Sequence, residues 1–102
     1  MIKHIVMWRL KEFANDASKT DNAIKLKETL ESLGDKIIEI KNIEVGVNIN
    51  QSEAAYDVVL YSEFDSMGDL EVYQRHPEHM KIVGFVNKIR SERAVVDYEV
   101  QI

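Results

Sequence analysis

The sequence of 102 residues contains no cysteine. Disulfide bonds, thiolate metal sites and a cysteine nucleophile are therefore excluded. No stretch approaches the roughly 20 apolar residues of a membrane-spanning helix, and the apolar run in residues 1–10 is too short for a signal peptide. The 13 basic residues are outnumbered by 18 acidic ones and form no stripe, which argues against a nucleic-acid partner. We therefore expect a soluble, cytoplasmic protein that binds neither nucleic acid nor a membrane.

Glycine is also scarce, and the four glycines are scattered, so no glycine-rich loop supports phosphate binding. The length predicts a single domain over residues 1–102. Because a domain this short buries only about 60–70% of its unfolded surface, a second copy would be a useful source of further burial.

The single proline, Pro77, divides a helical region in two. Proline disfavours an α-conformation in the residue before it, so a helix over residues 66–75 should stop near His76. Pro77 is itself well suited to be the first residue of a second helix, over residues 77–90. The spacing of that helix places one histidine on its apolar, inward face, which comprises His79, Ile82, Val86 and Ile89.

The first half of the chain predicts a strand followed by a helix. Apolar residues from Ile2 to Leu10 fall on both faces of the strand, so both faces should be at least partly covered. A polar loop is expected over residues 11–19. Thr20 is a suitable N-cap for the helix, and Gly34 fits its C′ position. The buried stripe of this helix is Ala23, Leu26, Leu30 and Leu33.

Three further strands are predicted at residues 38–49, 56–64 and 94–100. In the first of these, the parity of the apolar residues changes near Lys41, which indicates a bulge or a bend. The resulting order is β-α-β-β-α-β. It predicts a ferredoxin-like α+β fold, in which a four-stranded antiparallel sheet carries its helices on one face.

Such a sheet leaves its other face without helices. The apolar side chains expected there would form a larger patch than a monomer normally exposes. We expect a second copy to cover it, sheet against sheet, in a symmetric homodimer. The residues predicted on this face are Ile5, Met7, Arg9, Asp57, Val59, Tyr61, Glu63, Val95, Asp97 and Glu99.

Three side chains are candidates for chemistry in a pocket between sheet and helices. An imidazole at His79, on an apolar helix face, can be neutral near pH 7 and can move a proton. The hydroxyl of Tyr73 could polarise a carbonyl group, and His4 could orient the ligand. The alternative is structural: His79 satisfies a backbone carbonyl, Tyr73 packs, and His4 is hydrogen-bonded in the core.

The remaining histidine, His76, directly precedes Pro77 and is assigned to capping the second helix. A zinc site made from all three histidines is the weaker hypothesis, because the bend would splay His76 and His79 apart. Glu78 is expected to face solvent. We therefore predict neither a metal nor a cofactor.

Four segments together carry a resemblance to a known family. They are the first strand Lys3-His4-Ile5-Val6-Met7-Trp8, a third strand ending at Phe64, the element Tyr73-x-x-His76-Pro77-x-His79, and the closing Asp97-Tyr98. Together they resemble the stress-responsive dimeric α/β-barrel (Dabb) domain family. The resemblance implies a ferredoxin-like protomer whose sheet packs on that of its mate to form a shared barrel.

The resemblance also implies roles for single residues. In a polyketide cyclase of the family, which works without metal or cofactor, the catalytic pair falls on Tyr73 and His79. Two pocket histidines of that enzyme correspond to His4 and Val58. We predict that His79 and Tyr73 are catalytic, if the chain is an enzyme. The predicted contacts to a small apolar carbonyl or aromatic ligand are His4, Trp8 and Val58, although Trp8 also fits a plain core position. The alternative is a non-catalytic, stress-related dimeric module.

Overall fold

A computed structural model describes residues 1–101. Its main sheet has four strands in the order β4-β5-β1-β6, and all neighbouring strands are antiparallel. The strands are β1 (Ile2–Leu10), β4 (Asn42–Val47), β5 (Val58–Phe64) and β6 (Arg90–Glu99), and a small hairpin adds β2 (Phe13–Ala14) and β3 (Ala17–Ser18). The helices are α1 (Lys19–Glu31), α2 (Met67–Arg75) and α3 (Pro77–Ile89). This arrangement confirms the predicted α+β class and its β-α-β-β-α-β order.

The strand β1 lies in the middle of the sheet and alternates strictly between two environments. Every second residue, from Ile2 through His4 to Leu10, is buried on the side that carries the helices. The residues between them are half-buried on the opposite side. Because side chains in a strand alternate between faces, β1 delivers His4 and Trp8 to the same side as the helices.

The region 11–19 is not a plain loop, as predicted, but holds the β2–β3 hairpin. Its two turn residues, Asn15 and Asp16, have φ angles of 53° and 60°. Asparagine and aspartate tolerate this left-handed conformation better than most residues, which accounts for the tight turn. The helix α1 consequently begins earlier than predicted. Its N-cap is Ser18 rather than Thr20, with the Ser18 hydroxyl accepting a hydrogen bond from the Asp21 N–H at 3.2 Å.

Two further boundaries differ from the predictions. Gly34 does not occupy a left-handed C′ position, since α1 passes directly into a short 3-10 helix, Ser32–Asp35. A Cβ at Gly34 would lie 3.2 Å from Ile43 Cγ2, so the glycine permits close packing of this turn on β4. The strand β4 begins only at Asn42, and Ile38 is 84% exposed.

The break between α2 and α3 is confirmed at the predicted place. His76 has φ −64° and ψ 135°, an extended conformation that the following proline favours. Its Nδ1 accepts a hydrogen bond from the Glu78 N–H at 3.1 Å, so His76 caps α3 as predicted. The side chain of Glu78 remains partly exposed. The bend turns the first residues of α3 back toward the end of α2.

The register of β6 corrects one prediction. Asp97 pairs with His4 and Val95 pairs with Val6. Residues directly opposite each other in an antiparallel pair share a face of the sheet. The prediction that Val95, Asp97 and Glu99 lie on the helix-free face is therefore wrong, because alternation shows which residues of a strand belong together but not which set faces the helices. The helix side of β6 carries Arg93, Val95, Asp97 and Glu99.

The helix-free face combines exposed apolar groups with a compact polar cluster. Val96 is 53% exposed and Tyr98 is 44% exposed. Beside them, the ammonium of Lys3 pairs with Glu63 and lies 2.6 Å from the Tyr61 hydroxyl. The hydrogen bond to Glu63 is the main cause that raises the pKa of Lys3, and the same contact lowers the pKa of Glu63. The cluster satisfies these polar groups within one protomer.

None of the helices in residues 1–101 is long and apolar enough to cross a membrane.

Candidate ligand-binding site

A cavity of about 310 Å³ lies between the helix side of the sheet and the helices α2 and α3. It brings together four of the five residues predicted to form a site. They are His4 and Trp8 from β1, Tyr73 from α2 and His79 from α3. The apolar part of the lining is formed by Val6, Leu30, Leu60, Ile82, Val83 and Val86.

The fifth predicted residue, Val58, lies outside this lining. It is 1% exposed and pairs with Trp8 across β1 and β5. The next inward residue of β5, Leu60, lies opposite Val6 and lines the cavity instead. Val58 therefore does not line this cavity, which opens two residues further along β5, and its contact with a ligand stays a prediction.

The imidazole of His79 is fixed by the end of the preceding helix. Its Nδ1 lies 3.1 Å from the carbonyl oxygen of Gln74, in the last turn of α2. A carbonyl oxygen only accepts, so Nδ1 must carry the hydrogen. In the neutral ring, Nε2 is then an acceptor with no hydrogen bond inside residues 1–101. His79 therefore both binds a backbone carbonyl, as the structural alternative predicts, and lines the cavity.

The pKa of His79 favours the neutral ring. Burial is the main cause and lowers the pKa from its ordinary value of 6.5. The hydrogen bond to Gln74 acts in the opposite direction, while the charges of His4, Arg93 and His76 lower the pKa further. At neutral pH His79 therefore presents a lone pair rather than a positive charge.

Tyr73 lies between the two imidazoles of the cavity. Its ring centroid is 4.4 Å from that of His79 and 6.1 Å from that of His4. The side chain is 0% exposed, and burial raises the pKa of its hydroxyl. That hydroxyl makes no hydrogen bond with any described residue, and neither does the indole N–H of Trp8. Two residues of the cavity lining thus each carry a buried hydrogen-bond donor that has no partner within residues 1–101.

His4 is held from the edge strand by an aspartate. Its Nδ1 lies 2.5 Å from a carboxylate oxygen of Asp97. The carboxylate accepts, so Nδ1 donates and the ring is oriented with Nε2 pointing away from Asp97. His4 is 3% exposed, which makes this contact a buried one on the histidine side. Asp97 was not among the predicted site residues, because it was assigned to the opposite face of the sheet. Its position opposite His4 in the β1–β6 pair is the signal that could have identified it as a site residue.

Two arginines complete the lining. Arg90 and Arg93 come from the start of β6 and border the same cavity. They were also missing from the predicted site, since the strand was expected to begin only at residue 94.

The three histidines do not converge on a common point. His76 uses its Nδ1 to cap α3, and the other two rings direct theirs to Asp97 and to Gln74. Within residues 1–101 no group of three or more histidine, aspartate and glutamate side chains is arranged to hold a metal ion.

Residues 2–100 match the family model described as the stress responsive A/B barrel domain, abbreviated Dabb. The chain belongs to the Dabb family. This confirms the resemblance carried by the first strand and the His76-Pro77-x-His79 element.

Similar proteins of known sequence or structure agree with this assignment. A crystal structure of a dimeric protein of unknown function with a ferredoxin-like fold, from Bacteroides fragilis, is 37% identical over 97% of this chain and 95% of that chain, with a TM-score of 0.83. A curated stress-response A/B barrel domain-containing protein of Arabidopsis thaliana is 24% identical over 96% of this chain. The match covers 46% of that protein, so the Dabb domain spans about half the length of the curated relative. The Bacteroides fragilis structure confirms the ferredoxin-like fold.

A hydroxynitrile lyase from Passiflora edulis has the same fold. It matches 98% of this chain and 93% of its own with a TM-score of 0.79, at 17% sequence identity. At that identity the likeness concerns the fold alone.

Proposed function

We propose that this Dabb domain binds a small carbonyl or aromatic compound in the cavity and moves a proton on it. The observation that carries the proposal is a pair of buried donors without a partner in residues 1–101, Tyr73 Oη and Trp8 Nε1, on two residues that line a cavity of about 310 Å³. Small-molecule sites typically begin at about 300 Å³ and combine an apolar lining with a few polar groups. A buried donor without a partner is costly, and an acceptor on a ligand would satisfy it.

The proposed chemistry follows from the protonation of the lining groups. His79, neutral and with a bare Nε2, acts as the general base on a carbon next to the ligand carbonyl. The C–H bond breaks, its proton passes to Nε2, and its electron pair forms the C=C bond of an enolate. Tyr73 donates its hydroxyl hydrogen to the enolate oxygen, where the negative charge collects. Asp97 acts through His4, whose orientation it holds, and His4 positions the ligand.

The proposal includes a homodimer that covers the helix-free face of the sheet. Two solved structures of this fold are described as dimeric proteins, one from Bacteroides fragilis and one from Thermobifida fusca. In this chain the exposed Val96 and Tyr98 supply apolar area on that face. Covering such a face with a second copy would remove both from water. A cytoplasmic location for the dimer stays a prediction from the sequence.

The test is deuterium exchange into a ketone of suitable size. Benzylacetone carries a phenyl ring, an apolar linker and exchangeable hydrogens on both sides of its carbonyl. In heavy water the wild-type protein should accelerate the loss of these hydrogens in the proton NMR spectrum. His79→Gln should abolish the acceleration because it removes the base, and Tyr73→Phe should reduce it because it removes the donor.

A matched control separates the site from a general effect of mutation. Tyr61→Phe removes a tyrosine hydroxyl on the other face of the sheet and should leave the exchange rate unchanged. Exchange that persists at the wild-type rate in His79→Gln would refute the assigned base. Binding of benzylacetone without any exchange would leave a binding protein and remove the enzymatic part of the proposal.

The second candidate function is a non-catalytic dimeric module. The hydrogen bond from His79 to the Gln74 carbonyl favours it, because that contact alone gives the imidazole a structural purpose. On this view no small carbonyl or aromatic compound raises the melting temperature, and His79→Gln lowers that temperature without any other effect.

A further inference from the structure

The cavity has a charge opposite to that of the protein around it. The chain has a formal net charge of −5, with 18 acidic residues. Yet the described residues that line the cavity include two arginines and no aspartate or glutamate. A positively charged pocket in a negatively charged protein attracts anionic ligands through its local electrostatic field, whatever the net charge of the protein.

The arginines are available to a ligand. Within residues 1–101, the side chain of Arg93 forms no hydrogen bond or ion pair, and the side chain of Arg90 donates only to the neutral amide oxygen of Asn87, at 3.2 Å. Acidic residues are close by in sequence but are engaged elsewhere. Glu92 pairs with Arg9 at 3.0 Å on the other face, and Asp97 holds His4. Arg93 is therefore an uncompensated cation on the cavity side of β6.

The field of Arg93 reaches the interior of the site. Burial raises the pKa of Tyr73 and lowers that of His79, and in both cases the charge of Arg93 adds a lowering effect. Arg93 and the two catalytic candidates also line the same cavity.

Two sets of hydrogen-bond donors in the cavity lining differ in charge and burial. The buried set is neutral and donates from Tyr73 and Trp8, beside the apolar side chains. The second set is charged and lies on the exposed start of β6. A molecule that satisfies both sets has an anionic end, an apolar body and an oxygen acceptor.

We propose that the natural ligand of this cavity is an organic carboxylate with an apolar body, whose carboxylate is bound by Arg93 and Arg90. Guanidinium groups bind carboxylates through paired N–H donors, which gives both affinity and orientation. The apolar body lies against Val6, Leu60 and Val86, and an oxygen of the ligand accepts from Tyr73. This inference rests on the proposed function for the position of the ligand, and it adds the charge of the substrate class.

The test compares three probes that share one phenylethyl body. Hydrocinnamate has a carboxylate, hydrocinnamamide replaces it with a neutral amide, and benzylacetone replaces it with a methyl ketone. Trp8 is the only tryptophan and lines the cavity, so its single indole N–H signal in a proton–nitrogen NMR spectrum reports binding. Wild-type protein should bind hydrocinnamate about tenfold or more tightly than hydrocinnamamide, as expected for hydrogen bonds to a charged group.

Arginine variants locate the source of that preference. Arg93→Gln should bring the two affinities to within about threefold, because the wild-type difference arises largely from this guanidinium. Arg75→Gln is the matched control: it makes the same change at an exposed arginine of α2 outside the lining, and it should keep the wild-type preference. The double variant Arg90→Gln, Arg93→Gln removes both guanidinium groups of the lining and completes the series.

The outcomes distinguish this inference from the proposed function. Equal binding of hydrocinnamate and hydrocinnamamide by the wild type overturns the anion preference, while binding of benzylacetone still supports the cavity. A carboxylate preference that survives in the double variant also overturns the inference, since the anion must then be bound elsewhere. Failure of all three probes to move the Trp8 signal at millimolar concentration overturns both.

Discussion

Replacing Tyr73 by phenylalanine should stabilise the empty protein and weaken its response to a ligand. Tyr73 is 0% exposed, and its hydroxyl has no hydrogen-bond partner within residues 1–101. Its ring packs against His79 and Phe64, with centroids 4.4 Å and 5.1 Å away. Phenylalanine keeps those ring contacts and removes only the costly polar group.

The magnitude follows from the cost of a buried polar group. Leaving a hydroxyl buried without a partner costs about 1–3 kcal/mol. Because the hydroxyl borders a cavity, we take the lower end and expect Tyr73→Phe to raise the free energy of unfolding by about 1 kcal/mol. In a domain of this size that corresponds to a melting temperature higher by about 4–8 °C.

The same substitution at Tyr61 should have the opposite sign. The Tyr61 hydroxyl lies 2.6 Å from Lys3 Nζ and donates to Glu63 at 2.5 Å. Tyr61→Phe removes both contacts and should lower the free energy of unfolding by about 1 kcal/mol. Both variants remove a tyrosine hydroxyl, so a difference between their free energies of unfolding reflects the surroundings of that hydroxyl.

Thermal and urea unfolding, each with and without benzylacetone, form the assay. Benzylacetone should raise the melting temperature of wild type and of Tyr61→Phe, and should raise that of Tyr73→Phe by less, because the variant lacks the donor. If Tyr73→Phe is destabilised as strongly as Tyr61→Phe, the hydroxyl is satisfied in the folded protein and the argument from an unpartnered donor fails.

Three further predictions concern the dimer, the imidazole and the edge strand. Val96→Glu should reduce the mass measured by light scattering from two chains to one. Val95→Glu changes its similarly exposed neighbour on the other face and should leave a dimer, so dissociation by both variants or by neither would contradict the assigned face. Because the pKa of His79 is lowered in the folded protein, the unfolded chain takes up a proton first as the pH falls below 6.5. Below that pH the free energy of unfolding should therefore fall more steeply in wild type than in His79→Gln. Parallel pH profiles of the two proteins would count against a depressed pKa. Asp97→Ala leaves a buried imidazole without its partner and should lower the free energy of unfolding by about 1.5–3 kcal/mol in chemical denaturation. Glu99→Ala, on the same side of the sheet, should change that free energy by less than about 0.5 kcal/mol. Equal effects of the two variants would show that the Asp97 carboxylate does not hold the His4 ring.

Much of the fold could be predicted because local rules and the tertiary structure agree. The lone proline stops one helix and begins the next, and the alternation in β1 places His4 on the helix side. The family resemblance added the pairing of Tyr73 with His79, and the structure places their rings in contact. The helix break depends on neighbours within about one helical turn, and the strand alternation depends on a strict period of two.

The errors concern contacts between distant parts of the chain. Which face of β6 meets the helices depends on its register with β1, and a register is a property of two strands. Asp97 was therefore assigned to the wrong face, and its contact with His4 was missed. The early start of β6 likewise concealed Arg90 and Arg93 from the predicted site. Val58 was assigned by correspondence with a relative, and it lies outside the lining of the cavity.

The protonation states of the histidine nitrogens test the central claim most directly, namely that the bend at Pro77 turns a neutral imidazole into the cavity with its Nε2 bare. A long-range proton–nitrogen spectrum of histidine-labelled protein at neutral pH distinguishes the two tautomers and the charged ring. His79 should carry its hydrogen on Nδ1, which donates to Gln74, and His76 should carry its hydrogen on Nε2, because its Nδ1 accepts from Glu78. Benzylacetone should shift the Nε2 resonance of His79 and leave that of His76 in place. A His79 ring that is charged at neutral pH, or protonated on Nε2 alone, would contradict the account.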